Sequence, residues 1–226
     1  MKKILIILLL LISNFAAKAH MDHYKNFQKI EMEILRNGKV IGYNYYFFTR
    51  NGDETTVTNQ IKFSIEIMGA TIFSVDGYGE EKYSKNQLLS YESKTLQNDK
   101  EKFVNLTLDP KKNKFYIKGS SYTGEAEIDN IVGNWWNHKI LQASSQISPI
   151  SGSIKEQIVT FIGKEKIKQY GKVYDVNHFT LKSKDMSLPK DKRLDFNIWY
   201  DPKNSMIIKV SYSRMGNWEY RLKSFD

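Results

Sequence analysis

Four histidines, His20, His23, His138 and His178, carry the only side chains in this chain whose ordinary pKa lies near neutrality. There is no cysteine, so thiol chemistry is excluded and acid-base work would fall on histidine and carboxylate. The carboxylate with the most suggestive setting is Asp201, in Trp199-Tyr200-Asp201-Pro202. A hydrolase acting on an envelope polymer would pair such a group with His138 or His178, one member holding a proton and the other accepting it. No second acid accompanies Asp201 in sequence, and the simpler expectation is that it accepts amides of its own turn. Asp76 and the Glu80-Glu81 pair are expected to be solvated strand-edge or hairpin carboxylates. The chain lacks a G-x-S-x-G elbow, an H-E-x-x-H helix and a G-x-x-x-x-G-K loop. No catalytic residue is assigned.

Recognition chemistry is denser. Trp135-Trp136-Asn137-His138 gathers two indoles, an amide and an imidazole in four residues. Adjacent residues of a helix point about 100° apart, so at most one of the two indoles would face straight into a core and the other could cap a pocket. The alternative is that both plug the mouth of a barrel as packing. Trp199 is expected on the outer face of its strand. The ligand-binding candidates are therefore Trp135, Trp136, His138, Trp199 and Asp201. No cofactor and no metal site is assigned. The one metal chemistry open to the chain is a copper(II) chelate at His20, should cleavage make its amine the N-terminus, against the simpler expectation of a histidine-bearing tail.

The elements that must position these groups are strands. Ile61, Phe63, Ile65 and Ile67 alternate with Lys62, Ser64 and Glu66, and Leu194, Phe196, Ile198 and Tyr200 with Asp195, Asn197, Trp199 and Asp201. Met206, Ile208, Val210 and Tyr212 form a third such face, and Trp218, Tyr220 and Leu222 a fourth. Asn37-Gly38, Asn51-Gly52-Asp53, Asp109-Pro110, Asp201-Pro202 and Gly216-Asn217 supply hairpin turns between them. Consecutive strands joined by tight turns pair antiparallel, which predicts an all-β meander of about ten strands. One face of each strand is apolar and few helices are available to cover it, so the sheet is expected to curve strongly or close into a barrel, with a two-sheet sandwich as the alternative. From Ser120 to Gly152 the period-two rhythm stops, and a short helix over Ile131 to Gln142 is expected to close the open end.

The N-terminus has the order of a secretory signal: Lys2-Lys3, an apolar run from Ile4 to Ile12, then Ala17-Lys18-Ala19. The apolar run is far shorter than the roughly 20 residues that span a bilayer. Residues 1–19 are read as a signal peptide and 20–226 as a single β domain of 226 − 19 = 207 residues, periplasmic or secreted, with no transmembrane segment left after cleavage. Of the formal charge of +9, Lys2, Lys3 and Lys18 leave with the signal, and 31 basic against 25 acidic residues give +6. The remaining lysines are scattered along alternating strands, which excludes nucleic acid as the expected partner. With 41% hydrophobic and 13% aromatic residues the chain can build a core without disulfides. The leading functional expectation is a non-catalytic binding module for a lipid, another apolar ligand or a peptide. The envelope hydrolase is an alternative, as is a scaffold or assembly factor that engages envelope proteins through a strand edge.

Several segments carry a family resemblance: Leu35-Arg36-Asn37-Gly38-Lys39-Val40-Ile41-Gly42, Ile61-Lys62-Phe63, Asn134-Trp135-Trp136-Asn137-His138-Lys139-Ile140-Leu141, Asp195-Phe196-Asn197-Ile198-Trp199-Tyr200-Asp201, Lys209-Val210-Ser211-Tyr212 and Tyr220-Arg221-Leu222. Together they resemble the exported bacterial proteins of the DUF6134 family over most of the mature chain. The family pattern has proline after Trp-Asn where this chain has His138, so no role passes to His138. The resemblance implies export and an all-β fold, with a distant likeness in style to periplasmic DUF3108 proteins and to curved-sheet lipoprotein carriers of the LolA and LolB type.

Overall fold

In a computed structural model the described residues are 21–226, and the expected signal peptide and His20 lie outside them. Fifteen strands follow one another: β1 (Lys29–Arg36), β2 (Lys39–Asn51), β3 (Glu54–Ile67), β4 (Ala70–Ser84), β5 (Gln87–Gln97), β6 (Lys100–Asp109), β7 (Lys114–Gly119), β8 (Thr123–Glu127), β9 (Ile131–Val132), β10 (Ser145–Ile147), β11 (Ile154–Gln169), β12 (Lys172–Ser183), β13 (Asp195–Asp201), β14 (Met206–Ser213) and β15 (Asn217–Phe225). From β1 to β8 consecutive strands pair antiparallel, as they do from β10 to β15, and β9 joins β10 in parallel. β1 also pairs with β15, so the two terminal strands meet in the middle of one continuous sheet. β8 and β9 form its edges and do not pair, which leaves the curved sheet open. A single sheet replaces the sandwich alternative.

The meander is longer than the ten strands expected, because several hairpins turn on residues that give little warning of it. Met68-Gly69 and Tyr170-Gly171 have φ of 51° and 80°, and 47° and 78°. These two-residue turns have positive φ at both positions, matching the twist of the strands, and a bulky first residue tolerates it. The expected alternation is present: Phe63, Ile65, Leu194, Ile198, Met206, Ile208, Val210, Trp218 and Leu222 are buried. One core cluster takes side chains from both arms of the sheet, including Leu106, Phe115, Leu181 and Ile198, so the sheet wraps around it. A smaller cluster of Ile34, Phe63, Ile65, Val75 and Trp218 sits apart.

The helix expected over Ile131 to Gln142 is not formed. Ile131–Val132 is a strand, and only His138–Leu141 makes a turn of 3₁₀-helix, opened by Asn137, whose Oδ1 accepts from Lys139 N at 3.1 Å. Tertiary hydrogen bonds take the place of helical ones. Gly133 N donates to Ile147 O at 2.9 Å and Trp135 N to Tyr46 Oη at 3.2 Å, while the side chains of Asn134 and Trp136 reach Glu81. A Cβ at Gly133 would stand 2.1 Å from Gln146 Oε1, so a larger residue would displace the Gln146 amide that is bonded to Gln157. The segment enters the curved sheet as an irregular plug.

Candidate binding cavity

The inner face of β4 carries Val75, Gly77, Gly79, Glu81 and Tyr83 in period two, and all five are buried. Two of the five have no side chain. A Cβ on Gly79 would stand 2.9 Å from Tyr91 Oη, and one on Gly77 3.0 Å from both Ile61 and Thr95. The neighbouring inner positions of β5 are Ser93 and Thr95, which are small. Above this stretch lies a cavity of about 510 Å³, between the two core clusters. Trp135, Phe196 and Tyr220 supply aromatic walls, with the Trp135 and Phe196 rings edge to face at 5.1 Å.

Several polar side chains in the walls are bonded to one another or to the plug. Asn44 Nδ2 donates to Tyr46 Oη at 2.8 Å, and Asn59 Nδ2 to Asn44 Oδ1. Ser93 Oγ and Tyr91 Oη both donate to Pro149 O, at 2.7 and 2.9 Å. Gln146 Nε2 donates to Gln157 Oε1 at 2.6 Å, and Gln157 Nε2 to Ile140 O at 2.9 Å. These bonds satisfy groups whose burial would otherwise be costly and hold the plug to the sheet.

Of the five sequence candidates, only Trp135 lines the cavity. Trp136, 1% exposed, lies below it. Both indoles are buried in a turn rather than on a helix, so the helical argument that only one could face inward does not apply. Trp136 Nε1 donates to Glu81 Oε1 at 2.8 Å, and Tyr24, Phe48 and Tyr83 surround its ring edge to face. His138 sits farther along, its Nδ1 2.6 Å from Tyr24 Oη and its ring beside those of His23 and Tyr200. Burial, with His23 and Lys139 nearby, lowers its pKa to about 4. Trp199 is on the outer face, stacked on His178 at 4.6 Å with Lys209 Nζ over its ring at 4.5 Å. Asp201 accepts from Lys203 N at 2.9 Å and Asn204 Nδ2 at 2.7 Å, the turn role expected of it.

His178 and Asp201, offered for hydrolysis, are bonded to other partners and not to each other. His178 is bonded to Glu165 and Asn197 on the outer face, at 2.7 and 3.0 Å, while both oxygens of Asp201 are engaged in its turn. Among the described residues no group of three or more histidine or acidic side chains is placed to hold a metal ion. Asp76 is exposed and meets Lys62 at 2.7 Å, as a solvated carboxylate should.

Glu81 corrects the expectation made for the Glu80-Glu81 pair. It is 2% exposed and faces the interior, because β4 alternates and Glu80 takes the outer side. Its Oε1 accepts from Asn134 Nδ2 at 2.7 Å and from Trp136 Nε1, and its Oε2 from Tyr83 Oη. Burial pushes its pKa up, against those three donors. Its place in the alternation Val75, Gly77, Gly79, Glu81, Tyr83 was the available signal. A second group the sequence did not single out is a set of cations among the lining residues of the cavity, Lys155, Lys182, Lys190, Arg193 and Arg214. They come from three separate segments, which no local pattern could join.

No curated protein matches the chain. Among solved structures, the beta-barrel-like protein of the domain of unknown function DUF1849 from Brucella abortus is similar, with a TM-score of 0.56 at 10% identity over 88% of this chain and 95% of that one. At that identity the likeness shows the fold alone. A Bacteroides fragilis protein with a YmcC-like fold aligns over 88% of this chain and 94% of its own, at 11% identity and a TM-score of 0.35. A domain of unknown function, DUF6134, matches residues 32–223, and the chain belongs to the DUF6134 family.

Proposed function

We propose that the protein is an exported, non-catalytic binding module that holds the apolar body of a small ligand inside its curved sheet. The observation that carries this reading is the cavity of about 510 Å³ between two packed clusters. Its size falls within the roughly 300–1,000 Å³ typical of ligand sites. Aromatic walls offer the ligand contact area, and the wall amides already bonded to one another ask little of it. Catalysis has less support, since His178 and Asp201 are bonded to other partners and neither they nor His138 line the cavity. Export rests on the order of charges and apolar residues in 1–19, and no helix of the described residues is long and apolar enough to cross a membrane.

Native mass spectrometry of protein recovered from the periplasm tests both parts. The polypeptide mass should correspond to a chain starting at His20, and a fraction should carry a small molecule that organic solvent extracts. Absence of any co-purifying ligand, together with no binding of the neutral apolar dye Nile red, would defeat the binding reading. A retained N-terminus would defeat the export reading.

A further inference from the structure

On parts of the outer face of the sheet, cations are set against carboxylates in comparable number. Lys112 and Lys114 meet Glu125 and Glu127, Lys209 and Arg221 meet Glu219, and Lys223 meets Glu33. The cavity mouth departs from this. Five cationic side chains reach it, Lys155, Lys182, Lys190, Arg193 and Arg214, against one acid, Asp195. Asp195 stands 4.0 Å from Lys182. Among the described residues the other four make no ion pair, although the charge of Arg193 is felt at Asp185.

Their hydrogen bonds go to main-chain carbonyls instead. Lys155 Nζ donates to Lys192 O at 3.2 Å, Arg214 Nη2 to Arg193 O at 3.0 Å, and Arg193 Nε to Leu188 O. Each guanidinium has five N–H groups in a planar fork, so most of its donors remain for a partner. Lys155 is half-buried, and burial together with the neighbouring Arg214 lowers its pKa. Like charges gathered at a partly desolvated rim destabilise one another until an anion joins them. The rings of Trp135 and Phe196 line the same cavity.

Resting on the reading of this cavity as a binding site, we infer that its ligand is an amphiphile with an anionic head, carboxylate or phosphate. Lys155, Arg193 and Arg214 hold the head at the mouth, and the apolar body lies against Trp135 and Phe196. Both head groups accept paired hydrogen bonds from arginine, which gives the mouth orientation as well as charge.

Displacement of Nile red by four ligands sharing one dodecyl chain, each below its micelle-forming concentration, separates charge from chain. The ligands are dodecanoate, dodecyl phosphate, dodecanol and dodecyltrimethylammonium. At least one anion should bind about tenfold or more tightly than dodecanol, with the cationic ligand weakest, and the tighter anion identifies the head. Equal affinities across the series would overturn the anionic head while leaving the cavity as a binding site. Failure of all four, with no Nile red binding, would overturn the site itself. In a Lys155→Gln, Arg214→Gln variant the preference for the anion should shrink to about twofold or less, and a preference that survives there would refute the assignment to these cations. Should that variant misfold, the wild-type preference should still weaken at high salt, as a charge contact at an open mouth does. A preference insensitive to salt would again count against the rim.

Discussion

Trp135 and Trp136 are neighbours in sequence, both buried, and they face different interiors. Around Trp136 the space inside the sheet is filled: Tyr24, Phe48 and Tyr83 pack on the indole, and its N–H is bonded to Glu81. Around Trp135 the same sheet encloses a cavity. Topology cannot account for the difference, because β4 and β5 run through both regions. Side-chain size can. Along the inner face of β4 the sequence passes from Tyr83 and Glu81 to Gly79 and Gly77, and along β5 from Tyr91 to Ser93 and Thr95. The cavity is a property of these small residues, and each half can be altered without the other.

The largest effect should come from the filled half. Trp136→Ala removes a fully buried indole and leaves Glu81 with one donor fewer, at a cost of about 3–5 kcal/mol in urea unfolding. Trp135→Ala widens a space that already exists, so it should cost clearly less, about 1–2 kcal/mol. Equal losses for the two substitutions would break the distinction between a packed region and an open one.

Glu81 allows a finer test of the packed half through pH. Its pKa is raised in the folded protein, so between the unfolded value and the folded one the native state binds more protons than the unfolded state. Its favourable contribution is therefore complete below the unfolded pKa and is lost as pH rises through the folded one. Glu81→Gln keeps the shape and an acceptor for Asn134 and Trp136 but removes the proton equilibrium. The stability of wild type relative to Glu81→Gln should fall as pH rises from about 4.5. A difference that grows with pH would mean that Asn134, Trp136 and Tyr83 stabilise the carboxylate more than burial penalises it. His138 gives the opposite slope. With its pKa lowered to about 4 by burial first, it is neutral in the fold, and its contribution is complete above about 6.5 and lost as pH falls toward 4. Comparison of wild type with His138→Gln at pH 7 and pH 5 should show a smaller effect, on the order of 1 kcal/mol, since the ring is only partly buried.

The strands and their faces were legible because one side of each meets water and the other does not, as in Ile61, Phe63 and Ile65, or Met206, Ile208 and Val210. Asp201 was legible too, since the bonds it makes lie within its own turn. The plug was not. Asn134, Trp135 and Trp136 give up helical hydrogen bonds for contacts with Glu81 and Tyr46, which are 53 and 89 residues away in the chain. Glu81 itself was misplaced because an acid beside another acid suggests solvent, and only the alternation of β4 says otherwise. The cations of the mouth are the extreme case. Lys155 lies near the start of β11, Arg193 in the loop after β12 and Arg214 after β14, and each alone resembles any surface cation.

The smallest expected effect on stability bears most directly on the open half. Thr95 lines the cavity, its neighbour across the sheet is Gly77, and no hydrogen bond of its side chain would be lost on replacement. Thr95→Phe puts a ring into space that is already there, so the unfolding free energy should change by no more than about 1 kcal/mol in either direction. Nile red binding should nevertheless drop at least about tenfold, because the volume is consumed. If the variant is destabilised by about 3 kcal/mol or more, Thr95 is as tightly packed as Trp136 and the two regions do not differ as described. If stability and dye binding are both unchanged, the dye binds elsewhere, and the small residues of β4 and β5 do not make the site.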